Sequence, residues 1–194
     1  SQVVWGNTNW STVLFGVTAE YFEVRQWPVV RGREFEPSDL LAATKVCIIG
    51  QTVARQLFGD ADPIDQVIRI KRVPFTVIGV LENKGQSLMG TDQDDLIVMP
   101  ISTARKRVLG GNQAKQRSVG TIWVKVREDE DAKRVEDSVR QLLRQRHRLQ
   151  SGQDDDFSLR NLSEVMAAQE ASSRVLAILL AAVASVSLIV GGIG

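Results

Sequence analysis

The sequence holds one cysteine and one histidine in 194 residues, and those two shortages exclude more chemistry than any motif it contains. A single thiol cannot close a disulfide within the chain. With a single imidazole beside it, no sulfur-rich or multi-histidine zinc site can be assembled. An excess of either charge is missing as well: 24 Lys and Arg stand against 23 Asp and Glu, so no overall field draws the chain to nucleic acid or anionic lipid. Neither G-x-x-x-x-G-K-[ST] nor G-x-G-x-x-G occurs to cradle phosphates, and G-x-S-x-G is absent. No basic stretch leading into an apolar one opens the sequence, so nothing in it reads as a signal peptide. The expectation is a chain with no catalytic residue, no cofactor and no metal site of its own, and not a nucleic-acid binder.

What is present reads as an α+β protein. Gly6, Asn7 and Asn9 form a turn-rich opening, followed by an apolar strand through Val13, Leu14 and Phe15. "TAEYFEVRQW" predicts a short helix or turn with Tyr21, Phe22, Val24 and Trp27 packing inward. "KVCIIG" predicts a buried strand, and "QTVARQLFG" a two-turn helix closed by Gly59 in a left-handed cap. The β-branched runs "QVIRI" and "FTVIGVL", separated by Lys71 to Pro74, predict a hairpin. "DLIVMP" predicts a strand ended by Pro100, and "STARKRVLGG" a short helix with Ser102 as its N-cap.

From Ser118 the pattern changes. "SVGTIWVKV" alternates as a strand does, Val135, Val139, Leu142 and Leu143 make the stripe of an amphipathic helix, and "DDFSLRNL" predicts another strand. Together these form a βαβ-like unit, with the opening strand and helix expected to pair with it and the middle of the chain inserted between.

The last twenty residues, Val175 to Gly194, carry no charge and include four Leu, three Ile and four Val. A bilayer core takes roughly 20 apolar residues as a helix, and these aliphatic residues supply roughly −3 to −7 kcal/mol toward insertion. A buried core helix is the alternative, but it needs protein wrapped around every side. The expectation is a stalk helix over 163–174 that enters a membrane near Arg174 and continues as the start of a transmembrane helix over 175–194.

Candidate chemistry is sparse. Asp92, Asp94 and Asp95, and again Asp154, Asp155 and Asp156, bring oxygen ligands close together, but without the glycine and distal glutamate of an EF-hand loop they read as solvated turn acids. Cys47 lies in an apolar run and reads as a small buried hydrophobe. His147 sits in "RQRHR", expected as an exposed helix end without an orienting acid. The basic residues around it suit the C-terminal dipole of a solvated helix. Four tryptophans, Trp5, Trp10, Trp27 and Trp123, read as core residues, or as partner contacts where exposed.

Several stretches share order and spacing with one family: "WGNTNWST" (5–12), "YFEVRQW" (21–27), "GREF" (32–35), "LFGDADPI" (57–64), "FTVIGVL" (75–81), "TDQDDLIVMP" (91–100), "RHR" with the later "DDF", and "LIVGGIG". In these the chain resembles the extracytoplasmic domain of MacB-type ABC transporter permeases, the macrolide-exporter family. Asp65, in "PIDQ", departs from the glycine usual there, a departure that bears on the local turn.

The resemblance implies a domain between the first two transmembrane helices of an inner-membrane permease, facing the periplasm. It implies a porter-like βαβ subdomain (1–45 with 119–162) and an inserted small α/β subdomain (46–118). It implies a mechanotransmitter, in which ATP-driven closure in the cytoplasm, carried by a nucleotide-binding domain elsewhere, moves the periplasmic domains and expels substrate. The partners so implied are a second permease protomer, a periplasmic adaptor and, through it, an outer-membrane channel. The loop from Lys84 to Asp95, with Gly85, Asp92, Asp94 and Asp95, is the expected adaptor contact. A lipoprotein-releasing or cell-division permease domain, or a membrane-tethered binding or sensor module, stands as the alternative.

Overall fold

The computed structural model describes residues 1–87, 90–108, 119–162, 172–181 and 183–184. The chain forms two compact units, Ser1–Lys125 and Val126–Gly194.

The first unit is built on an eight-stranded sheet: β1 (Gln2–Trp5), β2 (Thr8–Ser11), β3 (Val13–Val17), β4 (Val29–Gly32), β5 (Val46–Ile49), β6 (Val67–Ile70), β7 (Val73–Leu81) and β8 (Leu96–Pro100). Its order is β2-β1-β6-β7-β5-β8-β3, with β4 on β7. The outermost strands of that path, β2 and β3, are separated in sequence by Thr12 alone. The sheet therefore curls so that its two outermost strands meet at that residue.

Four helical segments flank it: α1 (Tyr21–Val24), α2 (Pro37–Ala42), α3 (Gln51–Phe58) and α4 (Ile101–Thr103), the last continuing as a π-helical turn over Ala104–Val108. The period-two pattern of the strands sorts their side chains onto two cores. Cys47, Ile49, Phe75, Val77, Ile97 and Met99 join α3 residues Val53, Leu57 and Phe58 in one cluster. Ile48, Ile78, Leu81, Leu96 and Val98 face the other way and pack with Phe22, Trp27 and Phe35. Burying each such aliphatic or aromatic side chain contributes about 1.5–3 kcal/mol. Trp27 is 1% exposed, and its Nε1 donates to the Glu82 carbonyl at 2.6 Å, so its one polar group is satisfied.

The local expectations hold at β3, β5, α3 and β8, and the expected β6–β7 hairpin forms with a shorter connection, since Val73 and Pro74 lie within β7. Phe22 and Trp27 are buried, while Tyr21 and Val24 are half-buried. Gly59 ends α3 with φ +57, but its ψ of −117° lies outside the left-handed helical region. The β6–β7 connection is a two-residue turn at Lys71 (φ +47) and Arg72 (φ +69), with Ile70 opposite Val73. Positive φ at both central residues is the type I′ arrangement, for which Asn-Gly is favoured and Lys-Arg strained. Asp65 also has positive φ, +61, a conformation that glycine adopts without steric cost.

The turn expected at Gly6 and Asn7 is the tip of a β1–β2 hairpin (Gly6 φ +53), while Asn9 lies within β2. Three expectations are corrected. Ser102 is not an N-cap: Pro100 occupies that position, and Ser102 Oγ donates instead to the Leu40 carbonyl at 2.6 Å. Residues 119–125 carry no strand among the described residues, and Ile122, Trp123 and Val124 are exposed; alternation alone makes no strand without a ladder partner. Residues 155–161 likewise form no strand.

In the second unit, α5 (Ala132–His147) starts where the Asp131 carboxylate accepts the Lys133 N–H and ends at Arg148 in the left-handed region. The expected stripe is present, but α5 has no buried residue. Residues 172–181 and 183–184 are helical. Among the described residues no helix is long and apolar enough to cross a membrane; most of the expected stalk (163–171) and much of the expected transmembrane helix (182 and 185–194) lie outside them.

Candidate functional site

The loop that joins β7 to β8 is the segment singled out for partner contact, and its local chemistry is the densest in the first unit. Asp94, 1% exposed, accepts the Lys84 N–H on Oδ1 at 2.9 Å and the Gly85 N–H on Oδ2 at 2.8 Å. Gly85 has φ +69, a conformation that glycine adopts without steric cost, and the chain turns there directly after the two N–H groups that face the carboxylate. The Gly85 carbonyl accepts the Gln93 N–H at 3.0 Å, and Ser87 donates to the Thr91 carbonyl at 2.8 Å. Gln86 and Asp92 form an antiparallel bridge. The described part of the loop is thus a small internally bonded hairpin.

Two flanking elements fix its base. Asp92 Oδ2 accepts from Thr52 Oγ1 at 2.7 Å, and its Oδ1 accepts the Asp94 N–H at 2.8 Å. Thr52 stands in the first turn of α3, whose N-cap Gly50 passes so close to Asp94 that a Cβ there would overlap the Asp94 carbonyl oxygen. Asp95 Oδ1 accepts from Trp10 Nε1 at 2.8 Å. On the other side, Lys84 Nζ donates to the Arg25 carbonyl at 2.7 Å and lies 4.7 Å from the Trp27 ring centroid. Burial, and then the Arg25 charge, hold the Lys84 ammonium below the ordinary lysine range. Arg25 in turn stacks on the Trp123 ring at 4.1 Å.

The four expected contact residues are therefore brought together, but they differ in kind. Asp92 is exposed, Gly85 and Asp95 are half-buried, and Asp94 is interior, a positioning residue whose carboxylate faces the backbone. Each of the three carboxylates already accepts protein hydrogen bonds, which is the chemistry of turn acids. Thr52 was not singled out from sequence; Trp10 was read only as one of four tryptophans, core or partner contact, and Lys84 only as the start of the loop, and no local pattern joins the three to the aspartates.

Elsewhere, Cys47 is fully buried and its thiol is pushed far above the ordinary range by that burial, as a structural hydrophobe should be. Asp155 pairs with Arg140 at 3.5 Å and with Arg144. His147 does face an acid, contrary to expectation: its Nδ1 is 2.7 Å from Asp156 Oδ1, and its ring meets Phe157 edge-on at 5.7 Å. No group of three or more metal-ligating side chains occurs among the described residues.

Known proteins bear on this geometry. A family model described as "MacB-like periplasmic core domain" matches residues 1–142. The chain is 40% identical over 194 residues to the macrolide export ATP-binding/permease protein MacB of Bdellovibrio bacteriovorus, covering all of this chain and 29% of that protein. It is 35% identical over 193 residues to the pyoverdine export ATP-binding/permease protein PvdT of Pseudomonas savastanoi pv. phaseolicola, covering 99% and 28%. The chain thus spans less than a third of these relatives. The periplasmic region of MacB from Actinobacillus actinomycetemcomitans has the same fold, with a TM-score of 0.69 at 24% identity over 87% of this chain and 71% of that one. With a family model spanning most of its length and a mixed α/β fold shared with a solved periplasmic region, the chain belongs to the MacB-like periplasmic core domain family.

Proposed function

We propose that this domain is the periplasmic part of an inner-membrane ABC efflux permease, and that it transmits ATP-driven motion from the cytoplasm into expulsion of substrate through a periplasmic adaptor and an outer-membrane channel. The observation that carries the reading is the match along the whole chain to proteins named as export ATP-binding/permease proteins. On this reading nucleotide chemistry belongs to a domain elsewhere in the transporter, and the permease works as a pair of protomers.

A transmitting domain must move without deforming. The curled sheet and the bonded loop base suit that task, because close-packed cores shift as bodies rather than stretch. The loop 84–95, with Gly85, Asp92 and Asp95 presented and Asp94 holding the backbone, is the proposed adaptor contact. The stalk over 163–174 and the membrane helix over 175–194 complete the lever. The partition into a porter-like part (1–45 with 119–162) and an inserted part (46–118) belongs to the same proposal; strand pairs such as Val3 with Ile70 and Leu14 with Ile97 join the two parts in one sheet.

The test is binding of the intact permease to its periplasmic adaptor, with and without charge reversal at Asp92 and Asp95. Saturable binding weakened by the reversal is the expected result. Adaptor binding left unchanged by it would remove the loop from the contact, and absence of binding would remove the tripartite assembly.

A further inference from the structure

The opposite end of β7 from the 84–95 loop, about 30 Å away along a nine-residue strand, carries the reverse charge. Arg69, Lys71 and Arg72 line a groove of about 450 Å³ with Ser1, Gln2 and Val4. Val4 lies opposite Arg69 in the β1–β6 ladder, so Gln2, Val4, Arg69 and Lys71 stand on one face of the sheet, the face away from buried Val3, Ile68 and Ile70. Lys71 Nζ donates to the Val108 carbonyl at 3.4 Å, which brings the π-helical turn, with exposed Lys106 and Arg107, to the same end.

Three features mark this surface. None of Arg69, Lys71, Arg72, Lys106 and Arg107 forms an ion pair among the described residues, although the chain as a whole is nearly neutral. Lys71 and Arg72 occupy the two positive-φ positions of a turn that folds better with Asn-Gly; backbone strain accepted at two cations that form no ion pair among the described residues is the pattern of a site rather than of a scaffold. The floor is a strip of pleated sheet whose alternating side chains, Gln2 then Val4, match the spacing of an extended chain.

We propose that this groove docks an extended, acidic polypeptide segment of a partner protein, with carboxylates paired to Arg69, Lys71 and Arg72. Planar guanidinium groups bind carboxylates bidentately, and the strip-like floor selects a peptide over a lipid surface, for which no exposed aromatic is offered among the groove residues. The site stands apart from the 84–95 loop, and its failure leaves the reading of that loop untouched.

The probe is a fluorescein-labelled dodecaglutamate peptide titrated into the full-length permease in nanodiscs of zwitterionic lipid. Saturable binding at low salt is expected, weakening as salt screens it, and falling about tenfold or more in the Lys71→Asn/Arg72→Gly variant. That variant is also expected to melt at a higher temperature than the parent, which separates lost binding from lost folding. Peptide binding unchanged in the variant, no binding at low salt, or peptide binding abolished when phosphatidylglycerol replaces the zwitterionic lipid of the nanodisc overturns the proposal.

Discussion

Trp10 and Asp95, 85 positions apart in sequence, meet through a 2.8 Å hydrogen bond from the indole N–H to the carboxylate. The bond ties β2, at one end of the strand order, to the loop that leads into β8, and so joins the two ends of the strand order where the candidate contact loop ends. Trp10→Phe keeps an aromatic, if smaller, side chain and removes the donor; hydrogen bonds to charged groups contribute about 1.5–3 kcal/mol. A loss of about 1–2 kcal/mol in denaturant unfolding is expected for this half-buried pair, and Asp95→Asn should reproduce part of it. A double-mutant cycle without coupling would contradict the closure role.

Asp94 holds two backbone N–H groups with one buried carboxylate. Asp94→Ala strands both donors, so a destabilisation of about 2–3 kcal/mol is expected, together with faster amide exchange at Lys84 and Gly85. Exchange confined to its parent rate would show that the loop keeps its shape without the carboxylate.

Two strained or unsatisfied positions should improve on substitution. Asp65 at φ +61 makes Asp65→Gly the rare glycine substitution that stabilises, by up to about 1 kcal/mol. Thr12 Oγ1 is buried without a partner at the seam of the sheet, so Thr12→Val should be neutral or stabilising. Thermal melts of the two single variants check both.

Asp39 supplies the pH dependence. Burial pushes its carboxyl up, but hydrogen bonds from Arg33, Thr44 and the Glu36 N–H outweigh that and leave it below the ordinary carboxylate value. A depressed folded-state value means stability present above about pH 4 and lost as pH falls through the folded value. Asp39→Asn should flatten the acid limb of the stability curve while lowering stability at neutral pH; unfolding midpoints measured from pH 2 to 7 give the comparison.

The parts of the fold legible in the sequence were those set locally. "VCIIG", "QTVARQLFG" and "LIVMP" carry their period and their breakers within a few residues, and the structure follows them. β1 and β4 were missed because four-residue strands such as Val29–Gly32 are defined by their partners, here the distant β7. The alternation of residues 119–125 misled for the same reason in reverse, since a pattern without a ladder partner makes no strand. In the site, clustering of Asp92, Asp94 and Asp95 was visible in the sequence. That Asp94 faces inward was not, because its partners are backbone N–H groups nine and ten residues away, at Gly85 and Lys84, and the close pass of Gly50, none of which a local pattern shows.

The central claim is that the domain transmits motion. Two glycines inserted after Ala171 in the full-length permease test it most directly, by breaking the proposed stalk while leaving the nucleotide-binding machinery intact. The account predicts export abolished with ATP hydrolysis retained. Export continuing at the parent rate would contradict it.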